Sequence, residues 1–198
     1  MATPSAVTRD VRDDAKLKDL ILLISELSEG DEYFASTKLN KLLFFVDFLS
    51  YLQFGKPISG CMYEAMPEGP MVKSFYEVRR EMEANQDLSV SKRLLGNYVQ
   101  HKVLALKSAD PGKFTGEEMA VIQHIITEYR NMSASQISAK SHEFLGWQAV
   151  NIGEEIPYET ALVSTEDLTS EEWEYPEKIK FDFAKYGISA NALMGDNA

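Results

Sequence analysis

The sequence is poor in the residues that cross-link secreted proteins or bind metal ions. One cysteine, Cys61, occurs in 198 residues, so no internal disulfide can form. A lone thiol is typical of a reducing compartment, and we predict a cytoplasmic protein. The three histidines, His101, His124 and His142, have neither the spacing of a zinc helix nor a neighbouring cysteine pair. The sequence therefore predicts no metal site.

Long apolar runs are also missing. Residues 1–13 are small and polar, with alternating Arg and Asp, so they do not resemble a signal peptide and are predicted to form a disordered leader. The most apolar stretch, residues 42–54, is too short to cross a bilayer and contains Asp47. We expect no membrane association and interpret this stretch as part of a buried helix.

Signatures of catalysis and of nucleotide binding are absent. The chain has no nucleophile elbow, no phosphate-binding loop and no dinucleotide-binding glycine motif. Cys61 is interpreted as a buried, inert thiol. His142 and Glu143 could form an acid–base pair, but adjacent helical residues diverge, so a hydrogen-bonded structural histidine is favoured. We predict no enzymatic activity and no cofactor.

The net charge of −11 is unevenly distributed. It divides into −4 for residues 1–37, +3 for residues 38–113 and −10 for residues 114–198. The acidic last third repels phosphate and suits a basic protein partner, so nucleic acid is an unlikely ligand there. The mildly basic middle leaves a nucleic-acid-binding regulator as an alternative. Its cationic patch comprises Lys73, Arg79, Arg80, Lys92 and Arg93.

Apolar periodicity predicts a predominantly helical α+β fold, with about five core helices around a central buried helix and a small antiparallel β element. The central helix should run from Ser36 or Thr37, as N-cap, to Gly55, because apolar side chains cover nearly every face. Other helices are expected at 14–28 and, starting with Pro70 at its first position, at 70–85.

Two further helix starts and three strands complete the prediction. Capping boxes pair Thr115 with Glu118 and Ser133 with Gln136, and each should begin a helix. Strands are expected at 61–66, at 98–106, which should pair with 61–66, and as a weaker candidate at 158–163.

Four sequence blocks in a fixed order resemble a known family. They are KLNKLLFF at 38–45, GKPISG at 55–60, YEAMPEGPMV at 63–72 and SASQISAKSH at 133–142, with Trp147 following. This order resembles the Panacea domain, also called the SocA-like antitoxin domain, which occurs in phage-associated proteins and in antitoxins of toxin–antitoxin pairs. The resemblance covers roughly residues 15–163.

The resemblance implies a cytoplasmic antitoxin that neutralises a toxin by direct binding. Some members of the family also act as adaptors that deliver the toxin to a protease. The toxin would be basic and encoded by the adjacent gene. The implied organisation is a leader at 1–13, a Panacea-like helical domain at 14–163 and an acidic extension at 164–198. No catalytic residue carries over from the family.

Two groups of side chains are the candidates for partner binding. The segment 164–177 has six acidic residues and no basic residue, which is typical of a solvated tail and, less often, of an interaction segment. An alternative hypothesis is a small-molecule binder or enzyme that uses the candidates of the folded domain. The candidates are Tyr63, Glu64, His142 and Trp147 in the domain, and Glu171, Glu172, Trp173 and Tyr175 in the extension.

Overall fold

The computed structural model describes residues 14–95 and 98–162. Within these residues the chain forms six α-helices and two small antiparallel sheets, which confirms the predicted helical α+β fold. Two 3₁₀ helices, at Pro111–Lys113 and Tyr158–Leu162, complete it. In chain order the helices and strands are α1 (Asp14–Leu27), α2 (Ser36–Phe54), β1 (Tyr63–Glu64), β2 (Met71–Val72), α3 (Phe75–Ala84), β3 (Leu88–Leu95), β4 (Tyr98–Ala105), α4 (Gly116–Glu128), α5 (Ala134–His142) and α6 (Leu145–Gln148).

Helix α2 is the centre of the fold, as its apolar pattern predicts. It packs against α1, α4, α5, both sheets and the 3₁₀ helix at Tyr158–Leu162. Leu43, Phe44 and Val46 are completely buried, because neighbours enclose most of the helix. The helix ends at Gly55, whose left-handed backbone (φ +71°) places its N–H on the carbonyl of Tyr51. No described helix has both the length and the apolar character needed to cross a membrane.

The prediction that Ser36 or Thr37 caps α2 is wrong. The N-cap is Ala35, which is extended and has no side chain able to accept a helix amide. The hydroxyl of Ser36 instead donates to the carbonyl of His101 in β4, at 3.3 Å. A tertiary contact thus replaces the local cap, and the first turn of α2 has no side-chain cap.

Both predicted capping boxes are present. The Thr115 hydroxyl accepts from Glu118 N at 3.2 Å, and Thr115 N donates to the Glu118 carboxylate at 2.9 Å. Ser133 and Gln136 repeat this exchange at 3.3 and 2.8 Å. The sequence predicts both capping boxes correctly, because the two residues of each box lie within one helical turn of each other.

The predicted strand at 61–66 is reduced to β1, and the helix predicted to begin at Pro70 begins at Phe75. Met71–Val72 forms strand β2, which pairs with β1 in an antiparallel ladder. The cause is tertiary. The carbonyl of Pro70 accepts from the Lys41 ammonium at 2.8 Å, so the segment is extended against α2 where a helix was expected.

Strand β4 forms where a strand was predicted, but its predicted pairing with residues 61–66 is wrong. It pairs with β3 over eight residues, from Leu88↔Ala105 to Leu95↔Tyr98. Strand β3 was not predicted, because its serines and basic residues hide the alternation. The weaker strand candidate at 158–163 is also wrong, since Tyr158–Leu162 is a 3₁₀ helix.

The capping box of α4 gives a local test of stability. Thr115→Ala removes the acceptor for the Glu118 amide, and we expect the free energy of unfolding to fall by about 1 kcal/mol. Thr127→Ala is the matched control, because Thr127 is exposed in the last turn of the same helix, far from its N-cap. Urea denaturation measures both. Equal effects of the two substitutions would contradict a capping role for Thr115.

Candidate functional site

The candidates Tyr63 and Glu64 lie side by side in β1 but in different environments. Tyr63 is 1% exposed and belongs to the core. Glu64 is half-buried and forms an ion pair with Lys73, at 2.8 Å between Nζ and Oε1. Alternation along the strand separates the two side chains. Only Glu64 of this pair can reach solvent.

His142 and Trp147 lie together at the junction of α5 and α6. Their rings stack with centroids 4.1 Å apart and planes 25° from parallel. The Trp147 indole donates to the carbonyl of Met66 at 3.2 Å, which fixes this corner on the loop after β1. Glu143 pairs with Lys140 at 3.0 Å, so it is engaged away from His142. Among the described residues, the buried His142 Nε2 has no hydrogen-bond partner.

The remaining candidates, Glu171, Glu172, Trp173 and Tyr175, lie outside the described residues. Two grooves in the described part of the chain are considered below, and none of Tyr63, Glu64, His142 and Trp147 lines either of them. His142 and Trp147 form one corner, and the Tyr63 side chain is enclosed in the interior.

A buried carboxylate that the sequence reasoning passed over organises this interior. Asp47 of α2 is 0% exposed. Its Oδ1 accepts from Ser59 N at 2.7 Å, and its Oδ2 accepts from the hydroxyls of Ser59 and of Tyr63, the latter at 2.7 Å. The Tyr158 hydroxyl lies 3.4 Å from Oδ2 and donates to the carbonyl of Cys61 at 2.6 Å. The only hint in the sequence is an acidic residue within an apolar run.

Burial dominates the titration of this cluster. Loss of water raises the pKa of Asp47, and the hydrogen bonds from Ser59 and Tyr63 act in the opposite direction. Burial, followed by the charge of Asp47, also raises the pKa of Tyr63 well above its usual value, and that of Tyr158. The tyrosines therefore remain protonated donors. The cluster has the character of an internal clamp and is closed to a substrate.

Two buried lysines on α2 differ in their partners. Lys38 is 1% exposed, forms an ion pair with Asp31 at 2.5 Å, and donates to Met132 O at 2.8 Å. Lys41 is 2% exposed and donates to Pro70 O at 2.8 Å. Within the described part of the chain, no carboxylate forms an ion pair with Lys41. Its burial lowers its pKa from 10.5 to about 8, against the opposing charge of Glu68.

The loop between β1 and β2 comes very close to this ammonium. Gly69 has a φ of +98°, and a Cβ built there would lie 2.9 Å from Lys41 Nζ and 2.2 Å from Ser141 Oγ. Only glycine fits at this position without displacing its neighbours. Gly69 therefore fixes the position of Lys41 at the edge of a groove.

This first groove, of about 460 Å³, opens at the N-terminus of α2. Its walls come from the first turns of α2, the loop between β1 and β2, α3 and β4. Both polar or charged side chains and apolar side chains line it. The lining residues are Ala35, Ser36, Thr37, Asn40, Lys41, Met66, Glu68, Gly69, Met71, Phe75, Tyr76, Arg79 and His101.

A second groove, of about 320 Å³, lies between α2 and α4. It is lined mainly by aromatic and aliphatic side chains, including Phe45 and Tyr129, whose rings stack with centroids 4.5 Å apart. His124 and Glu128 are its only titratable lining residues besides Tyr129. Its walls are largely continuous with the aromatic core.

The tip of the β3–β4 hairpin presents apolar side chains to solvent. Leu94 is 72% exposed, and Val99, its partner across the ladder, is 42% exposed. Lys92 and Arg93 precede them on β3 and are also exposed. Exposed paired apolar side chains of this kind favour an interaction surface.

The geometry describes a compact helical scaffold with an internal polar clamp, an open groove and an apolar hairpin tip, which is typical of a binding module. Residues 39–148 match the family described as "Antitoxin SocA-like, Panacea domain". The match covers more than half of the chain, and the chain belongs to this family. No curated protein and no solved structure matches it.

The Asp47 clamp predicts a strong effect of truncation. Asp47→Ala leaves the buried donors of Ser59 and Tyr63 without an acceptor, so we expect the free energy of unfolding to fall by about 3 kcal/mol or more. Asp47→Asn conserves shape and removes the charge, and the hydroxyls can rotate to accept from it, so its effect should be smaller. Urea denaturation of the wild type and of both variants at neutral pH measures the two effects.

The pH dependence distinguishes the charge of Asp47 from its shape. Because the folded state raises the pKa of Asp47, its contribution to stability is complete below the unfolded value and is lost as the pH rises. The stability of the wild type relative to Asp47→Asn should therefore fall as the pH rises above 3.8, the ordinary pKa of an aspartate. A constant difference between them would contradict the raised pKa.

Substitution of the two buried lysines should change the free energy of unfolding in opposite directions. Burial lowers the pKa of Lys41 from 10.5 to about 8, so the folded state is penalised for keeping this lysine charged. The penalty is absent above pH 10.5, grows as the pH falls and reaches roughly 3 kcal/mol of lost stability below about pH 8. Lys41→Met removes this penalty and one hydrogen bond of about 1 kcal/mol, so at pH 7 we expect stabilisation by about 2 kcal/mol. The gain should shrink between pH 8 and 10.5.

Lys38→Met is the matched control, three residues away on the same buried helix. It leaves Asp31 buried without its counterion, so we expect destabilisation by about 3 kcal/mol or more. Denaturation of both variants from pH 7 to pH 10 measures the contrast. Equal destabilisation by the two substitutions would show that Lys41 has a counterion after all.

Proposed function

We propose that this protein is an antitoxin that neutralises a cognate toxin by direct protein–protein binding. The observation that carries this proposal is the match of residues 39–148 to the antitoxin SocA-like family. It is supported by a described fold whose polar cluster is closed to substrate, which suits a binding module better than a catalyst. We further propose a cytoplasmic protein whose toxin is encoded by the adjacent gene, in a phage-associated toxin–antitoxin pair.

Charge supports a basic toxin. Residues 114–198 carry a formal charge of −10, and opposite charge on a partner accelerates encounter and fixes orientation. Within this third, the acidic and aromatic pairs Glu171–Glu172 and Trp173–Tyr175 combine the two chemistries that protein interfaces use most. Aromatic side chains supply buried area, and the carboxylates select a cationic surface.

The hairpin tip supplies a second contact in this proposal. Leu94 and Val99 are apolar neighbours that the fold leaves exposed, and truncating them removes no buried core contact. An interface that covers them would gain free energy by removing apolar surface from water. The tip and the acidic extension can be tested separately, because they are distant in the sequence.

Rescue of growth tests the proposal. The product of the adjacent gene is expressed alone and with this protein, and we expect growth arrest that co-expression relieves. Glu171→Lys combined with Trp173→Ala, and Leu94→Ser combined with Val99→Ser, should each weaken the purified complex by tenfold or more in calorimetry, about 1.4 kcal/mol. Ile152→Ser is the control, because Ile152 is an apolar residue that is 56% exposed and belongs to neither of the two surfaces.

The growth and binding measurements test the antitoxin function and the two proposed contact surfaces separately. A harmless neighbour that forms no complex contradicts the antitoxin function. A complex that both double variants bind as tightly as the wild type leaves the function in place and contradicts the two surfaces. The adaptor hypothesis adds that the toxin should be degraded faster with this protein than alone by the cell's ATP-dependent proteases, and stabilisation of the toxin would contradict it.

A further inference from the structure

The groove at the N-terminus of α2 is lined by the first turn of that helix and by two cationic side chains, Lys41 and Arg79. Helix α2 is 19 residues long, and its N-cap Ala35 provides no side-chain acceptor. The first amides of any helix lack intrahelical partners, and the helix dipole makes this end electropositive. Ser36 and Thr37, the first two residues of the helix, form part of the groove wall.

A buried cation lies on the same wall. Lys41 is 2% exposed, and its ammonium donates to one carbonyl, that of Pro70, although it has three protons to donate. A buried charge is normally paired, as Lys38 is with Asp31. Lys41 is the exception among the buried lysines of α2, and the groove is where a counterion could reach it.

Arg79 of α3 is a second cation among the lining residues. It forms an ion pair with Glu83, at 3.5 Å between Nε and Oε2, and its buried Nε makes no hydrogen bond to any described residue. The guanidinium lies over the ring of Tyr76, 5.3 Å from the centroid, which holds it in place. One groove is therefore lined by two cations, Lys41 with one carbonyl for its three protons and Arg79 with a buried Nε that makes no hydrogen bond to a described residue.

The acidic residue among the lining residues, Glu68, does not form an ion pair with Lys41 in the described part of the chain. Glu68 is exposed, and its charge acts on Lys41 from a distance. His101 adds a further polar group from β4. A group with several oxygens and a negative charge fits an ammonium, a guanidinium and helix amides together, and phosphate has this form.

We propose that this groove binds the phosphate group of a small molecule. The phosphate would sit between Lys41, Arg79 and the first turn of α2. The volume of about 460 Å³ accommodates the rest of a small ligand. Phe75, Met71 and the half-exposed ring of Tyr76 offer that part an apolar surface. The proposal is independent of toxin binding.

Titration with inorganic phosphate, at constant ionic strength and followed by the amide signals of the full chain, tests it. We expect saturable shifts that are largest at Ser36 and Thr37. Arg79→Gln should weaken binding about tenfold. Arg80→Gln is the matched control, because Arg80 is the adjacent residue of α3, is exposed and does not line the groove. It should leave the affinity within about twofold of the wild type.

A second variant protects the test against misfolding. Lys41→Met, which we expect to fold, should also weaken phosphate binding about tenfold or more. Titration with acetate and with a glutamate-rich peptide separates the sources of negative charge. Tighter binding of the peptide than of phosphate would identify an acidic protein segment as the occupant and overturn the proposal. Equal loss in Arg79→Gln and Arg80→Gln, or shifts spread over the whole surface, would also overturn it.

Discussion

The carboxylate of Asp47 is the interaction on which the rest of the structure depends. It is completely buried in α2 and accepts hydrogen bonds from Ser59, in the loop that follows the helix, and from Tyr63 in β1. Tyr158, from the last described helix, lies beside the same oxygen. Three segments, the farthest of them 111 positions along the chain from Asp47, are thereby oriented around one side chain. A buried acceptor of this kind is expensive to leave unpaired, so it selects one arrangement of its neighbours.

The same principle operates along the whole of α2. Lys38 donates to Met132 ahead of α5, Lys41 donates to Pro70 ahead of β2, and Asp47 accepts from Ser59. These three buried polar groups of an apolar helix each bind a different segment of the chain. The apolar faces provide the free energy of burial, and the polar groups determine which neighbour packs where. The motif KLNKLLFF of the family thus combines core filling with two anchoring cations.

This division separates the closed interior of the scaffold from its accessible surfaces. The clamp and the aromatic core are closed, whereas the groove at the N-terminus of α2 and the tip of the β3–β4 hairpin remain accessible. Lys38 is neutralised inside the protein by Asp31, and Lys41 is not paired in this way. A charge left without a counterion in the described fold, next to an uncapped helix, is a site prepared for an external anion.

The sequence by itself determined what depends on neighbours within a few residues. The capping boxes at Thr115 and Ser133, the apolar enclosure of α2 and its end at Gly55 follow from local patterns of side chains. The family could be inferred from the same sequence, because its blocks keep their order along the chain.

Only the tertiary structure decided where distant groups meet. Pro70 does not start a helix, because its carbonyl binds Lys41, and Ser36 does not cap α2, because its hydroxyl binds His101 in β4. The partner of β4 likewise proved to be the adjacent β3. The groove brings Lys41 and Arg79 together from separate helices, which no spacing in the sequence encodes. Local hydrogen bonds are selected by sequence proximity, whereas long-range ones are selected by which buried polar groups would otherwise lack a partner.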